Sequence, residues 1–104
     1  MSEETLALFK TGIPIFTMLT DENRQKILVM LCQVDKMSVS EITEKLALSR
    51  PAVSHHLSLL LNAGLLKVTK IGTERYYSNS MGATLTLLKR LTNSLEADIA
   101  EHNR

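Results

Sequence analysis

A single cysteine, Cys32, in 104 residues excludes an intrachain disulfide, and with it the stapled scaffold of small secreted domains. Tryptophan is absent and the aromatics are two Phe and two Tyr, so a core has to be built from Leu, Ile, Val and Met. Uninterrupted apolar runs extend only a few residues, as in Leu59-Leu60-Leu61, far short of the roughly 20 residues of a membrane span. The opening Met1-Ser2-Glu3-Glu4 is acidic where a secretory leader is basic and then apolar. Also missing are a glycine-rich phosphate loop, a histidine placed beside a nucleophile and an orienting acid, and a recognisable carboxylate pair. These absences predict a soluble, cytoplasmic protein that is not an enzyme and carries no cofactor.

What is present suits one domain spanning residues 1–104, with a 44% apolar and 22% charged composition ordinary for a globular chain. So short a chain buries a modest fraction of its surface, which makes help from a second subunit expected. Net charge is only +1, but its distribution is uneven. Residues 43–76 hold Lys45, Arg50, Lys67, Lys70 and Arg75 against Glu44 and Glu74, whereas residues 1–42 carry four positive and six negative groups. Such polarity suits a basic face turned to phosphates, although an uneven count is by itself common on a solvated surface.

Leu6, Phe9, Ile13, Phe16 and Leu19 recur at helical spacing, with Gly12 and Pro14 predicting an interruption and Pro14 opening a second helical piece. Thr20 is the expected cap of a helix to about Val34 that buries Ile27, Leu28, Leu31 and Val34. Ser38-Val39-Ser40-Glu41 matches a capping box. Its short helix turns Ile42 and Leu46 inward and ends near Ala47-Leu48. Ser49 caps the next helix, where Pro51 falls in the first turn, Val53, Leu57, Leu60 and Leu61 form the buried stripe, and Gly64 is the stop. Leu66–Ile71 alternates as a strand, Gly72-Thr73 is turn material, and Glu74–Ser78 returns as a second strand. A last helix carries Leu85, Leu88, Leu91, Leu95 and Ile99.

Two short helices in residues 39–63 followed by a hairpin in 66–78 predict a winged helix-turn-helix, mainly α with a small β-hairpin. The major groove of double-stranded DNA admits one helix, and a helix N-terminus offers free N–H groups and a favourable dipole to phosphate. Ser49, Arg50, Pro51, Ser54 and His55, with Ala52, are the expected reading residues, and Arg50 has the fork to meet guanine O6 and N7. Lys67, Lys70, Thr73 and Arg75 on the wing are the expected phosphate contacts. His56, on the Val53 and Leu60 side, is expected to pack, as are Tyr76 and Tyr77, the latter supporting the wing.

The run Leu48-Ser49-Arg50-Pro51-Ala52-Val53-Ser54-His55-His56-Leu57, then Leu60, Asn62-Ala63-Gly64-Leu65-Leu66, Gly72 and Tyr76-Tyr77, resembles the ArsR family of bacterial winged-helix repressors. The segment Phe16–Leu28 is similar to the start of the family's second helix, although Glu22 replaces a frequent proline. The resemblance covers roughly residues 13 to 90 and implies a homodimer on a palindromic operator, repressing until an inducer arrives. The surplus apolar stripes of the terminal helices, about residues 3–19 and 80–101, argue independently for burial against a second copy, or else onto the domain's own core. A two-fold dimer sets its reading helices roughly 34 Å apart, on an inverted repeat.

The resemblance also directs attention to metal sites, and the ligands are missing. A cysteine pair before the reading helix is replaced by Ser38-Val39-Ser40, and serine is a poor ligand for soft metals. The last helix offers Met81-Gly82-Ala83 and later only Glu96 where relatives place aspartate and histidines. Asp98 and His102 share a face near Glu101, half of a metal site by spacing, but a solvated helix end explains them, and no metal is expected. Cys32, which in relatives that sense persulfides pairs with a second cysteine, has no partner here. It is expected to be a small buried hydrophobe, with a thiol-responsive repressor acting between subunits or through a mixed disulfide as the alternative. The inducer is not legible. The rival to DNA reading is a winged-helix protein–protein interaction module.

Overall fold

The structure, a computed structural model, describes residues 2–104. Five helices and three strands follow in the order α1 (Glu3–Met18), α2 (Glu22–Cys32), β1 (Met37–Ser38), α3 (Val39–Lys45), α4 (Arg50–Asn62), β2 (Leu66–Ile71), β3 (Glu74–Asn79) and α5 (Gly82–His102). This is the mainly helical winged helix-turn-helix expected from the sequence, with one addition. The hairpin is extended to a three-stranded antiparallel sheet, β1-β3-β2, by Met37 and Ser38 pairing with Tyr77 and Tyr76.

Helix α1 runs unbroken through Pro14, correcting the expected interruption. Pro14 removes one N–H and leaves the carbonyl of Lys10 without its donor. Both residues are exposed, so water can serve that carbonyl, while Met18 beyond the proline is buried in the core. Thr20 does not cap α2. Its hydroxyl donates back to the Thr17 carbonyl at 2.7 Å, and Asp21 is the cap, accepting from the Arg24 N–H at 3.0 Å. A carboxylate satisfies the orphan donors and also suits the positive end of the helix dipole. Because α2 ends at Cys32, Val34 falls outside it and is 44% exposed, not part of the buried stripe.

The main core joins Ile27, Leu28 and Leu31 of α2 with Ile42 of α3, Val53, Leu57 and Leu60 of α4, and Met37, Leu65, Leu66 and Tyr77 around the sheet. Leu61 is only half-buried. The capping box at Ser38 and Glu41 forms in full, although α3 stops at Lys45, short of Ala47-Leu48. Gly64, at φ +81, takes the left-handed conformation that ends α4 and lets Leu65 turn inward.

The terminal helices pack on each other through a face that the leucine pattern marks only at Leu91. Thr5, Leu8 and Gly12 of α1 are buried with Thr84, Leu87, Leu91 and Ser94 of α5. A Cβ on Gly12 would stand 2.6 Å from Phe16 Cζ and 3.2 Å from Leu87 Cδ2, so the missing side chain makes room for the Phe16 ring and for Leu87. Thr5 Oγ1 hydrogen-bonds Ser94 and donates to Asp98 Oδ2 at 2.7 Å, closing the far end of the pair. Of the stripes read from the sequence, Leu91 is buried in this joint and Phe16 packs against it, while Leu6, Phe9, Ile13, Leu85, Leu95 and Ile99 are exposed. The helix pair lengthens the molecule to 58 × 23 × 21 Å, with a radius of gyration of 16.7 Å against about 13 Å for a compact domain of this size.

Candidate nucleic-acid interface

Helices α3 and α4 are joined by residues 46–49. Ser49 caps α4 by accepting from the Ala52 N–H at 3.3 Å, and Pro51 sits in the first turn, where no intrahelical donor is needed. Val53, Leu57 and Leu60 are fully buried and fix the rotation of the helix. With that stripe inward, Arg50, Ser54 and Ser58, four residues apart, line a groove of about 310 Å³ facing the wing. Pro51 and His55 are exposed, and Ala52 is half-buried.

On the wing, Gly72 at φ +64 supplies the left-handed turn residue. Register and pleat then divide the expected wing residues between two faces. Lys70 opposes Arg75, and Val68 opposes the buried Tyr77, so this face carries the two cations. Arg75 and Thr73 line the same groove as Arg50 and Ser54. Lys67 opposes Ser78, and Thr69 opposes Tyr76, on the opposite face. There they line a second groove, of about 440 Å³, with residues 32–36 from the end of α2. The structure therefore brings Arg50, Ser54, Thr73 and Arg75 together, sets Lys70 beside them, and leaves Lys67 across the sheet. Lys36, whose Nζ lies 5.4 Å from the Tyr76 ring centroid, is the cation nearest to Lys67's groove that the sequence reading did not single out.

Three further residues organise this surface without having been expected to. Arg50 Nη1 donates to Ser40 Oγ at 2.8 Å, and Arg50 Nη2 stands 3.5 Å from Glu74 Oε1. Arg24 ties α2 to the end of α1: its Nε and Nη2 donate to the Met18 and Thr17 carbonyls at 3.0 and 3.2 Å, and its Nη1 lies 3.4 Å from His56 Nδ1 on α4. His56 is half-buried beside Arg24 of α2, consistent with a packing role. No periodicity marks such contacts, since each joins residues distant in sequence. Two carboxyls are held below their ordinary values: Asp21 by the Arg24 backbone N–H, and Glu41 by the Ser38 backbone N–H and then its hydroxyl.

Two other expectations change. Cys32, the last residue of α2, is exposed, not buried. Asp98 is half-buried and accepts from Thr5, which assigns it to the joint between the helices and not to a solvated end shared with His102.

A short helix pair with an exposed, N-capped second helix and a hairpin beside it defines a winged helix-turn-helix DNA-binding protein. Residues 21–68 match the family described as "Bacterial regulatory protein, arsR family". The chain is 35% identical over 69 residues to an HTH-type transcriptional regulator of Methanocaldococcus jannaschii, spanning 66% of this chain and 78% of the relative. It is 37% identical over 77 residues to the arsenical resistance operon repressor of Bacillus subtilis, spanning 74% and 73%. An ArsR-like transcriptional regulator from Rhodococcus superposes with a TM-score of 0.81 at 29% identity, covering 93% of this chain and 87% of that one. The chain belongs to the ArsR family: it is a DNA-binding transcriptional regulator and not an enzyme.

Proposed function

We propose that this regulator is a homodimeric repressor that reads an inverted-repeat operator with α4 and grips the flanking phosphates with its wing. The observation that carries this reading is the groove where Arg50, Ser54, Thr73 and Arg75 meet, with Lys70 directly across from Arg75. Like charges opposite one another destabilise a strand pair, and a phosphate between them reverses that penalty. Ser49 and His55 flank the helix tip, Pro51 closes its first turn, and Lys67, on the other face of the hairpin, reaches phosphate only from the outer side. Repression follows the arsenical resistance operon repressor among the relatives. The inducer is left open.

The second copy is supported by the apolar stripe of Leu6, Phe9, Ile13, Leu85, Leu95 and Ile99, which the chain's own fold leaves exposed. Six large apolar side chains on one helix pair are a surface that a two-fold partner buries. In this arrangement residues 1–104 act as one domain, with the terminal helices joining the copies.

Binding of wild type, Arg50→Ala and Lys70→Ala to a panel of single-base operator variants, at two salt concentrations, tests the reading. Arg50→Ala loses about 1–3 kcal/mol and its preference at one base position, whereas Lys70→Ala weakens all duplexes alike and lowers the salt slope by about one. Equal discrimination by wild type and Arg50→Ala removes Arg50 as the base reader. Absence of salt-sensitive duplex binding favours the protein–protein module instead.

A further inference from the structure

Arg50 is already engaged in the unbound chain. One N–H of Nη1 goes to Ser40 on α3 and one of Nη2 faces Glu74 at the start of β3, so a single guanidinium ties together the helix-turn-helix and the wing. A carboxylate is out of place on this surface for any purpose but that one. By register Glu74 opposes Ile71, on the other face from Lys70 and Arg75, yet its carboxylate lines the Arg50 groove, where a polyanion repels it. The ion pair is itself half open, with side-chain exposures of 57% for Arg50 and 32% for Glu74, so it adds little to folding.

The count of donors gives Glu74 a purpose. A guanidinium has five N–H groups in a fixed plane. The contacts to Ser40 and Glu74 occupy one on each terminal nitrogen and leave another on each. With Nε–H, that leaves three N–H groups open to acceptors such as the O6 and N7 of a guanine. Arg50 can therefore read a base while keeping both of its protein partners. A phosphate, unlike a base edge, brings a second negative charge beside Glu74 and is repelled there.

We infer that Glu74 is a positioning residue that determines specificity: with Ser40 it holds the Arg50 guanidinium aimed at a base edge and away from the phosphates. The inference rests on the reading of Arg50 as a base contact. Holding the side chain in advance removes part of the ordering cost from the specific complex. In the non-specific complex the same hold withholds a cation from the backbone, and the carboxylate repels it.

The test compares wild type, Glu74→Ala, Glu74→Gln, Arg50→Ala and the double variant Glu74→Ala/Arg50→Ala. The probes are a duplex enriched by the wild type from a random pool and a scrambled duplex of the same length and composition. Glu74→Ala weakens the enriched duplex roughly two- to ten-fold and tightens the scrambled one roughly two- to five-fold. It also blurs base preference at the same position as Arg50→Ala. Glu74→Gln, which keeps an acceptor oxygen, restores part of that preference. In the Arg50→Ala background the Glu74 substitution no longer changes base preference. An unchanged preference in Glu74→Ala, while Arg50→Ala loses it, overturns the positioning role and leaves base reading intact. An equal effect of Glu74→Ala with and without Arg50 reduces it to charge repulsion and also overturns the role. If Arg50→Ala keeps full discrimination, or nothing is enriched, the underlying reading falls and this inference with it.

Discussion

Arg24→Met should loosen the reading head from the terminal helices, and the size of the effect can be worked from the contacts. The substitution keeps the aliphatic stem of a half-buried side chain and removes its three polar contacts. Two of these serve the Met18 and Thr17 carbonyls at 3.0 and 3.2 Å at the end of α1; the Thr17 carbonyl also accepts from the Thr20 hydroxyl and N–H, so the Met18 contact is the one without a substitute. The third, at 3.4 Å to His56, is long and adds little. Hydrogen bonds from a charged donor contribute roughly 1.5–3 kcal/mol each when shielded. Here the Thr17 contact is exposed and water replaces part of the loss, so about 1–2 kcal/mol remains. For a domain near 100 residues that lowers the melting temperature by roughly 4–16 °C. Arg24→Lys recovers only part, because one ammonium cannot reproduce the planar fork. Thermal unfolding followed by circular dichroism, at one fixed protein concentration, measures this. A melting temperature within 1 °C of wild type for Arg24→Met would refute the assignment of Arg24 as the joint between α1, α2 and α4.

Ser38→Ala removes the hydroxyl that accepts from the Glu41 N–H at 3.1 Å and keeps the backbone N–H that donates to Glu41 Oε1 at 3.0 Å; it should cost about 0.5–2 kcal/mol in urea unfolding with an unchanged m-value. The carboxyls of Asp21 and Glu41 are depressed below 3.8 and 4.5 by N–H donors; their contribution is present above those ordinary values and is lost as pH falls through the lower folded values. Stability should therefore decline on acidification below about pH 4.5, and Asp21→Asn should make that decline shallower in a pH series of urea midpoints. Gly12→Val forces a branched side chain toward the Phe16 ring and Leu87, whose atoms stand 2.6 and 3.2 Å from the Cβ position alone. About 1–3 kcal/mol of overpacking follows, seen as a lower melting temperature, and sedimentation should show fewer dimers as the α1–α5 pair shifts.

The reading head was largely legible because its signals are local. Ser38 with Glu41, Ser49 with Pro51, and Gly64 and Gly72 at positive φ are decided within a few residues, and the structure places all of them as their chemistry requires. The terminal helices were legible only in part. Leucine spacing finds the apolar stripe, yet the face buried within the chain is built of Thr5, Gly12, Thr84 and Ser94 around Leu8, Leu87 and Leu91. Small and polar residues there admit close approach and hydrogen bonds, a purpose that hydropathy does not register. Competition between neighbouring caps was likewise hidden: Thr20 and Asp21 are both good caps, and Thr20 is taken by the end of α1. The split of the wing needed the register, since only the pleat separates Lys67 from Lys70 and Arg75. Contacts such as Arg50 to Glu74 or Arg24 to His56 span 24 and 32 residues and leave no trace in a linear pattern.

Selection of duplexes from a random pool by the wild-type chain, with the mass of the selected complex measured, tests the reading of DNA by α4 most directly. The predicted result is an inverted repeat with half-sites about one helical turn apart, bound by two copies of the chain, with enrichment at one base pair of each half-site lost in Arg50→Ala. A pool that enriches no sequence, or one whose enriched sequence survives Arg50→Ala unchanged, contradicts it.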